Sequence, residues 1–273
     1  MLFAMLDRSD IADNLTDIAG ARIELIERGS GRPLLLLHPA IGIKGNDQAI
    51  DRLARSFRVL APSHPGFGRS ELPRGMNTVD DLAYFYLDLM DALDLREVVL
   101  AGLSFGGWIA AEIAIKSTAR VSHLVLADAV GIKLGDREHR DIADIFTTRQ
   151  DEVDRLAYHD PKVGAVDHTT ISDDDALIMF RNREATALFA WSPYMYDPKL
   201  AGRLHRIRVP TLLLWGASDR IVTPDYGRAY GARIPGAQFE LIEAAGHYPH
   251  LERPDLFAQK IVDFVARTQG GAA

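Results

Sequence analysis

The sequence predicts an α/β fold: a mostly parallel central sheet flanked by helices and interrupted by one helical insertion. Three observations predict it. Short apolar runs recur along the chain, most of them continuous rather than alternating, as strands buried on both faces require. Amphipathic helical segments separate these runs at both ends of the chain, the alternation expected of a sheet layered with helices. The strand rhythm breaks between about residues 131 and 206 and then resumes, which splits the chain into a discontinuous core, 1–130 with 206–273, and a helical cap, 131–205.

Taken in order, the expected strands are 21–26, 34–37, 58–61, 98–101, 123–127, 211–215 and 238–242. Between the third and the fourth, Thr78 followed by Asp81 opens a helix that runs to Leu93. Leu82, Phe85, Tyr86, Leu89 and Leu93 lie on it at helical spacing. Residues 107–117 and 255–267 read the same way. In the insertion, 140–147 and 173–191 read as helices, the second capped by Ser172 and opened by Asp173, Asp174 and Asp175, whose charges suit a helix N-terminus. Met179, Phe180, Leu188, Phe189, Trp191, Tyr194, Met195 and Tyr196 gather there and divide between lining an apolar pocket and gluing the cap to the core.

Composition narrows the chemistry. With 273 residues, the chain is long enough to bury roughly 70–75% of its unfolded surface, so it needs no metal or disulfide to fold. It has no cysteine, which removes disulfides, thiolate-bound zinc, iron–sulfur clusters and thiol nucleophiles; a nucleophile must be oxygen or nitrogen. The aliphatic run Leu34–Leu37 is far below the roughly 18–20 residues that span a bilayer, so no membrane partner is expected. Asp7, Asp10, Asp13 and Asp17 are unlike a signal peptide and lead us to expect a cytoplasmic protein. A net charge of −7 with scattered Lys and Arg disfavours nucleic acid.

The sharpest motif is Gly102-Leu103-Ser104-Phe105-Gly106, set between a β-branched run and an Ala-rich helical stretch. Glycines two residues either side of a serine allow a strand-to-helix turn too tight for side chains, which holds the serine above the sheet at a helix N-terminus. The plainer reading is a structural turn. A serine hydroxyl needs a base within hydrogen-bond reach and an acid to orient that base. Asp219, just past the 211–215 run, and His247, just past 238–242, complete the order serine, acid, histidine. Strand ends of a parallel sheet converge at one edge, so the three can meet. Asp128 also ends a strand and competes for the acid role. His250 lies three residues past His247 and raises a metal pair, although no third ligand of the His-Glu-x-x-His kind accompanies it. No metal and no cofactor are expected. His64, His123, His139, His159, His168 and His205 read as surface or loop residues.

Attack by a serine on a carbonyl needs two N–H donors for the oxyanion. Phe105, after the nucleophile, supplies one. The second comes from the loop His38-Pro39-Ala40-Ile41-Gly42, where Pro39 has no N–H, leaving Ala40 or Ile41.

Together these residues resemble the α/β-hydrolase superfamily over nearly the whole chain outside the insertion. The matching pieces are the Ser104 turn, the Gly216–Asp219 loop, Gly246-His247, the His38–Ala40 entry and Pro65-Gly66-Phe67-Gly68-Arg69-Ser70. Two departures stand out: His64 occupies a place where the family often has Asp, and His38-Pro39 replaces the common His-Gly. A serine at position 104 disfavours the dehalogenase and epoxide-hydrolase branches, which need a carboxylate nucleophile. The resemblance implies acyl transfer from Ser104 to water on a small or medium carboxylic ester, a lactone or a perhydrolase-type substrate. It also allows cleavage of a carbon–carbon bond in a dienone carboxylate, where relatives use a cap arginine and an aromatic residue, usually Trp, after the histidine. Here those are Arg181 or Arg183 and Tyr248. A non-catalytic small-molecule binder on the same fold is the reading from a different class.

Overall fold

Apolar side chains alternate between the two faces of the central strands, and that alternation places a core on each side of one sheet. The computed structural model describes residues 15–136, 138–164 and 170–269. The strands are β1 (Leu15–Ile18), β2 (Ala21–Arg28), β3 (Pro33–Leu37), β4 (Arg58–Pro62), β5 (Val98–Leu103), β6 (Val121–Ala127), β7 (Thr211–Gly216) and β8 (Gln238–Ile242). They form an eight-stranded sheet in the order β1-β2-β4-β3-β5-β6-β7-β8, antiparallel at β1/β2 and β2/β4 and parallel elsewhere.

The helices are α1 (Asp47–Leu53), α2 (Val79–Ala92), α3 (Phe105–Lys116), α4 (Gln150–Ala157), α5 (Asp173–Ala190), α6 (Leu200–Arg203), α7 (Pro224–Gly231), α8 (Pro249–Glu252) and α9 (Pro254–Gln269). Leu35, Leu37, Leu100, Leu213 and Trp215 point to the face covered by α2, α3 and α7, with Leu82, Tyr86, Ile109 and Tyr230 packed on them. Leu34, Leu36, Val99, Ala101, Leu212 and Leu214 point to the face covered by α1 and α9, against Ile50, Leu53, Phe257, Ile261 and Phe264. Each such fully buried side chain contributes about 1.5–3 kcal/mol relative to exposure. The capping box of α2 is formed in both directions: Thr78 Oγ1 accepts from the Asp81 N–H at 3.1 Å and Asp81 accepts from the Thr78 N–H at 2.9 Å.

The insertion departs from its sequence reading. Residues 140–147 form no helix, because local carboxylates capture the backbone: Asp144 accepts from Phe146 and Thr147 N–H, and Asp141 from Leu134 and Gly135 N–H. The helix lies further on, at α4, a short polar element that buries only Val153 and Ala157. Strand β1, four residues with two exposed, carries too little pattern to be read from sequence. Of the apolar residues gathered in the insertion, Phe189 and Met195 are buried, whereas Phe180 is 72% and Trp191 53% exposed. Asp7, Asp10, Asp13 and His168 lie outside the described residues. Among the described residues no helix is long and apolar enough to cross a membrane.

Candidate active site

At the carboxyl end of β5 the chain turns into α3 through Ser104, whose φ of 50° and ψ of −111° are a strained conformation for a residue with a side chain. The turn is this tight because the flanking glycines allow it. A Cβ at Gly102 would sit 2.3 Å from the Gly106 carbonyl oxygen, and one at Gly106 2.2 Å from that of Leu37. Ser104 is held by its own N–H on the Ala127 carbonyl at 2.8 Å and remains 7% exposed.

The three residues singled out from sequence meet here. Ser104 Oγ donates to His247 Nε2 at 2.8 Å, and His247 Nδ1–H donates to Asp219 Oδ2 at 2.8 Å. Asp219 Oδ1 accepts from the Ile221 and Val222 N–H groups at 2.8 and 3.1 Å, so this carboxylate has three donors and a fixed orientation. All three side chains are buried. The arrangement has a serine hydroxyl aimed at an imidazole whose other nitrogen is pinned in the tautomer that can take the proton.

The segment between β6 and β7 grips this side of the site through backbone. At the end of α4, the Ala157 carbonyl accepts from the His247 N–H at 2.6 Å and the Leu156 carbonyl from the Arg220 N–H at 3.1 Å. His159 bonds Ser218 Oγ at 2.8 Å.

On the opposite side, the loop after β3 turns with the Gly42 N–H on the Pro39 carbonyl at 2.9 Å. Among the described residues no acceptor takes the N–H of Ala40, Ile41 or Phe105, so the donors expected for an oxyanion are unengaged. What holds this loop was missed in the sequence. His64 is not a surface residue but fully buried: its Nε2–H donates to the His38 carbonyl at 2.9 Å, and its Nδ1 accepts from Tyr86 Oη at 2.5 Å. The His64 N–H in turn donates to His38 Nε2 at 2.9 Å, and His38 Nδ1–H donates to the Pro39 carbonyl at 2.7 Å. Every ring nitrogen of the pair is thus assigned, and both rings are neutral. Burial lowers the His38 pKa to about 4 and drives that of His64 well below its ordinary value. A signal existed in the two departures from the family pattern, His38-Pro39 and His64, which turn out to contact each other.

From above, α5 docks on the same loops. Asn182, 4% exposed, donates to the Ile41 carbonyl at 2.9 Å and accepts from the Gly68 N–H at 2.8 Å. A Cβ at Gly42, whose φ is +98°, would lie 2.3 Å from Asn182 Nδ2. Phe189 stacks on Phe67 and leans on Phe105, with ring centroids 6.4 and 6.5 Å apart. Arg181 donates to the Ser70 carbonyl at 3.0 Å, while Arg183 lies over the Phe146 ring. Tyr248 packs edge-on against the His247 ring at 4.9 Å.

Other candidates fall elsewhere. His250 is buried, and its Nε2–H donates to Asn46 Oδ1 at 3.1 Å rather than joining His247 at a metal; burial lowers its pKa to about 3. His123 is likewise buried rather than superficial, bonded to Ser122 and Thr268 at 2.9 Å each. Asp128, Asp219 and His247 offer ligand atoms within 4.8 Å of one another. A metal held there would have to replace the His247–Asp219 hydrogen bond, so the geometry favours a proton relay.

Comparisons with known proteins agree on the fold and diverge on the reaction. The sequence pattern described as "Alpha/beta hydrolase family" matches residues 34–260. A 2-hydroxymuconate semialdehyde hydrolase of Pseudomonas sp. (strain CF600) is 28% identical over 93% of this chain and 94% of its own. A putative non-heme haloperoxidase of Mycobacterium phage D29 is 31% identical over 89% and 90%. Among solved structures, a thermophilic esterase from Thermogutta terrifontis is similar with a TM-score of 0.71 and 25% identity, covering 93% of this chain and 97% of that one.

Proposed function

Since the chain belongs to the alpha/beta hydrolase family, we propose that it is a serine hydrolase that cleaves a small or medium carboxylic ester through an acyl-enzyme. The observation that carries this reading is the unbroken hydrogen-bond chain from Ser104 Oγ through His247 to Asp219. In it, Ser104 Oγ attacks the ester carbonyl carbon while His247 Nε2 takes the hydroxyl proton. Asp219 holds the tautomer and stabilises the imidazolium that forms. The Phe105 and Ala40 N–H groups receive the oxyanion, where losing one donor typically costs about 10²–10³ in turnover. His247 then protonates the leaving alkoxide, and a water activated by the same imidazole releases the acid. Residues 131–205 act as the cap, over a core of 1–130 and 206–273, and confine a small-molecule substrate.

Relatedness to the hydroxymuconate semialdehyde hydrolase favours a second reading, hydrolysis of a carbon–carbon bond in a dienone carboxylate. Tyr248 beside His247 and Arg181 on α5 are then the aromatic and cationic partners of that substrate.

Turnover of short and long p-nitrophenyl esters, lactones and a 2-hydroxy-6-oxo-dienoate decides between the readings. An organophosphonate is expected to label Ser104, and Ser104→Ala should fold normally and lose on the order of 10⁶-fold in kcat. An unchanged rate in that variant removes the mechanism under either reading.

A further inference from the structure

The loop that carries His247 is fastened at two successive backbone donors. The His247 N–H donates to the Ala157 carbonyl at 2.6 Å, and the N–H of the residue before it, Gly246, donates to Glu252 Oε2 at 2.6 Å. The other oxygen of the same carboxylate, Oε1, accepts from the Asp160 N–H at 2.9 Å. Glu252 ends α8, a single turn opened by Pro249, and that turn brings its side chain back to the loop it follows. Ala157 and Asp160 lie between β6 and β7, whereas Gly246 follows β8, so one carboxylate joins two segments that the chain keeps far apart. Among the described residues, these two N–H groups are its hydrogen-bond partners and it forms no ion pair.

The approach of the two segments is close. A Cβ at Gly246 would lie 2.2 Å from the Ala157 carbonyl oxygen, so a glycine is needed for the end of α4 to reach the His247 N–H. On the other flank, a Cβ at Gly216 would lie 1.9 Å from the Gly246 carbonyl oxygen, which wedges the His247 loop between residues 157–160 and the loop that carries Asp219. A carboxylate suits the junction because it offers two acceptor oxygens and no donor. An amide of the same shape would turn its NH2 towards one of the two N–H groups.

We propose that Glu252 is a positioning residue for His247: it joins residues 157–160 to the His247 loop, so that the imidazole is aligned with Ser104 Oγ only while that segment is seated. Glu252 bonds none of the three relay side chains and acts through the backbone on either side of its junction. His247 Nε2 stands 2.8 Å from Ser104 Oγ, and a misplacement of about 1 Å in such a contact costs on the order of 10²-fold in rate. Seating the segment and aligning the base become one event, which is felt in kcat and not in the affinity for substrate.

The inference rests on the Ser104–His247–Asp219 reading. With p-nitrophenyl acetate as substrate, and active sites counted by organophosphonate titration taken to completion, Glu252→Ala is expected to lose about 10²-fold in kcat per titrated site with KM nearly constant. Glu252→Gln, which keeps one acceptor oxygen, should lose about tenfold. A residue that only stabilises the fold would lower the number of titratable sites and leave kcat per site as it was. Amide exchange reads the junction directly: in Glu252→Ala, peptides covering 157–160 and 245–248 should lose protection together while those of β5 and α3 keep theirs. An unchanged kcat per site, a loss carried by KM alone, or protection lost at only one of the two segments overturns the proposal. If Ser104→Ala keeps its activity, it is the underlying reading that has failed, and the exchange data still decide whether Glu252 joins the two segments. Should Glu252→Ala not fold, Glu252→Gln decides by the same measurements.

Discussion

The two sides of the candidate site are built on different electrostatics. On the Asp219–His247 side, a carboxylate with three donors faces an imidazole that becomes charged in the proposed mechanism. On the side of the loops after β3 and β4, two neutral imidazoles, the Tyr86 hydroxyl and the Asn182 amide hold the backbone, and no partner carries charge. The first side has to accommodate a proton that comes and goes. The second, in the proposed mechanism, keeps N–H donors still while negative charge develops near them, and a neutral network does so without changing protonation state near neutral pH. A buried network of this kind is rigid only while every member is satisfied.

The strongest way to break that contrast is His64→Phe, which keeps a ring of similar bulk but strands Tyr86 Oη and the His38 carbonyl. Each buried group left unsatisfied costs about 1–3 kcal/mol. We expect stability to fall by roughly 2–5 kcal/mol and kcat to fall by at least about tenfold, while the organophosphonate still labels Ser104. Urea unfolding and steady-state rates check this, and unchanged values for both would show that the two loops hold themselves.

Acid sharpens the comparison next. The folded-state pKa of His38 is depressed from 6.5 to about 4. Its neutral form therefore adds stability that is complete above pH 6.5 and drains away as the pH falls towards 4, by about 3 kcal/mol in total at ~1.4 kcal/mol per pH unit. His250 and His64 shift in the same direction and steepen the loss. Urea midpoints measured from pH 7 down to pH 4 should fall throughout this window; a flat profile would mean that the imidazoles are not buried as neutral groups.

A milder probe is Asn182→Ala, which deletes the two hydrogen bonds that Asn182 makes to the Ile41 carbonyl and the Gly68 N–H. It should destabilise by about 1–3 kcal/mol and raise KM more than it lowers kcat, because both bonds it deletes lie on the loops and not on Ser104, His247 or Asp219. Equal proportional changes in KM and kcat would contradict that division. Smallest of all, Thr78→Ala removes a cap on α2, outside both sides. We expect a cost of about 1 kcal/mol, or 2–4 °C in Tm, with activity intact. Any loss of rate would show that α2, which carries Tyr86, sets the geometry of the loop after β3.

How much of this was legible beforehand differs from element to element. The continuous apolar runs of β3 to β7 announced themselves because both faces of those strands are covered, and Thr78 with Asp81 announced α2 because the capping box is local. Ser104, Asp219 and His247 were legible because each sits in a turn with its own chemistry, a glycine-flanked elbow or a loop directly after an apolar strand. The stretch 140–147 misled because Asp141 and Asp144 spend their side chains on nearby backbone, a competition that helical spacing does not register.

By itself, then, the sequence determined the layered architecture and the tight glycine-flanked turn at Ser104, since these depend on contacts between residues close along the chain or on burial common to a whole strand. Only the tertiary structure decided that His64 meets His38, that Asn182 bridges Ile41 and Gly68, and that Asp128 stands beside Asp219. Those are pairings between residues tens to more than a hundred positions apart. Their partners are chosen by which strands lie side by side and by the need of buried polar groups for each other, and neither leaves a periodic trace in the chain.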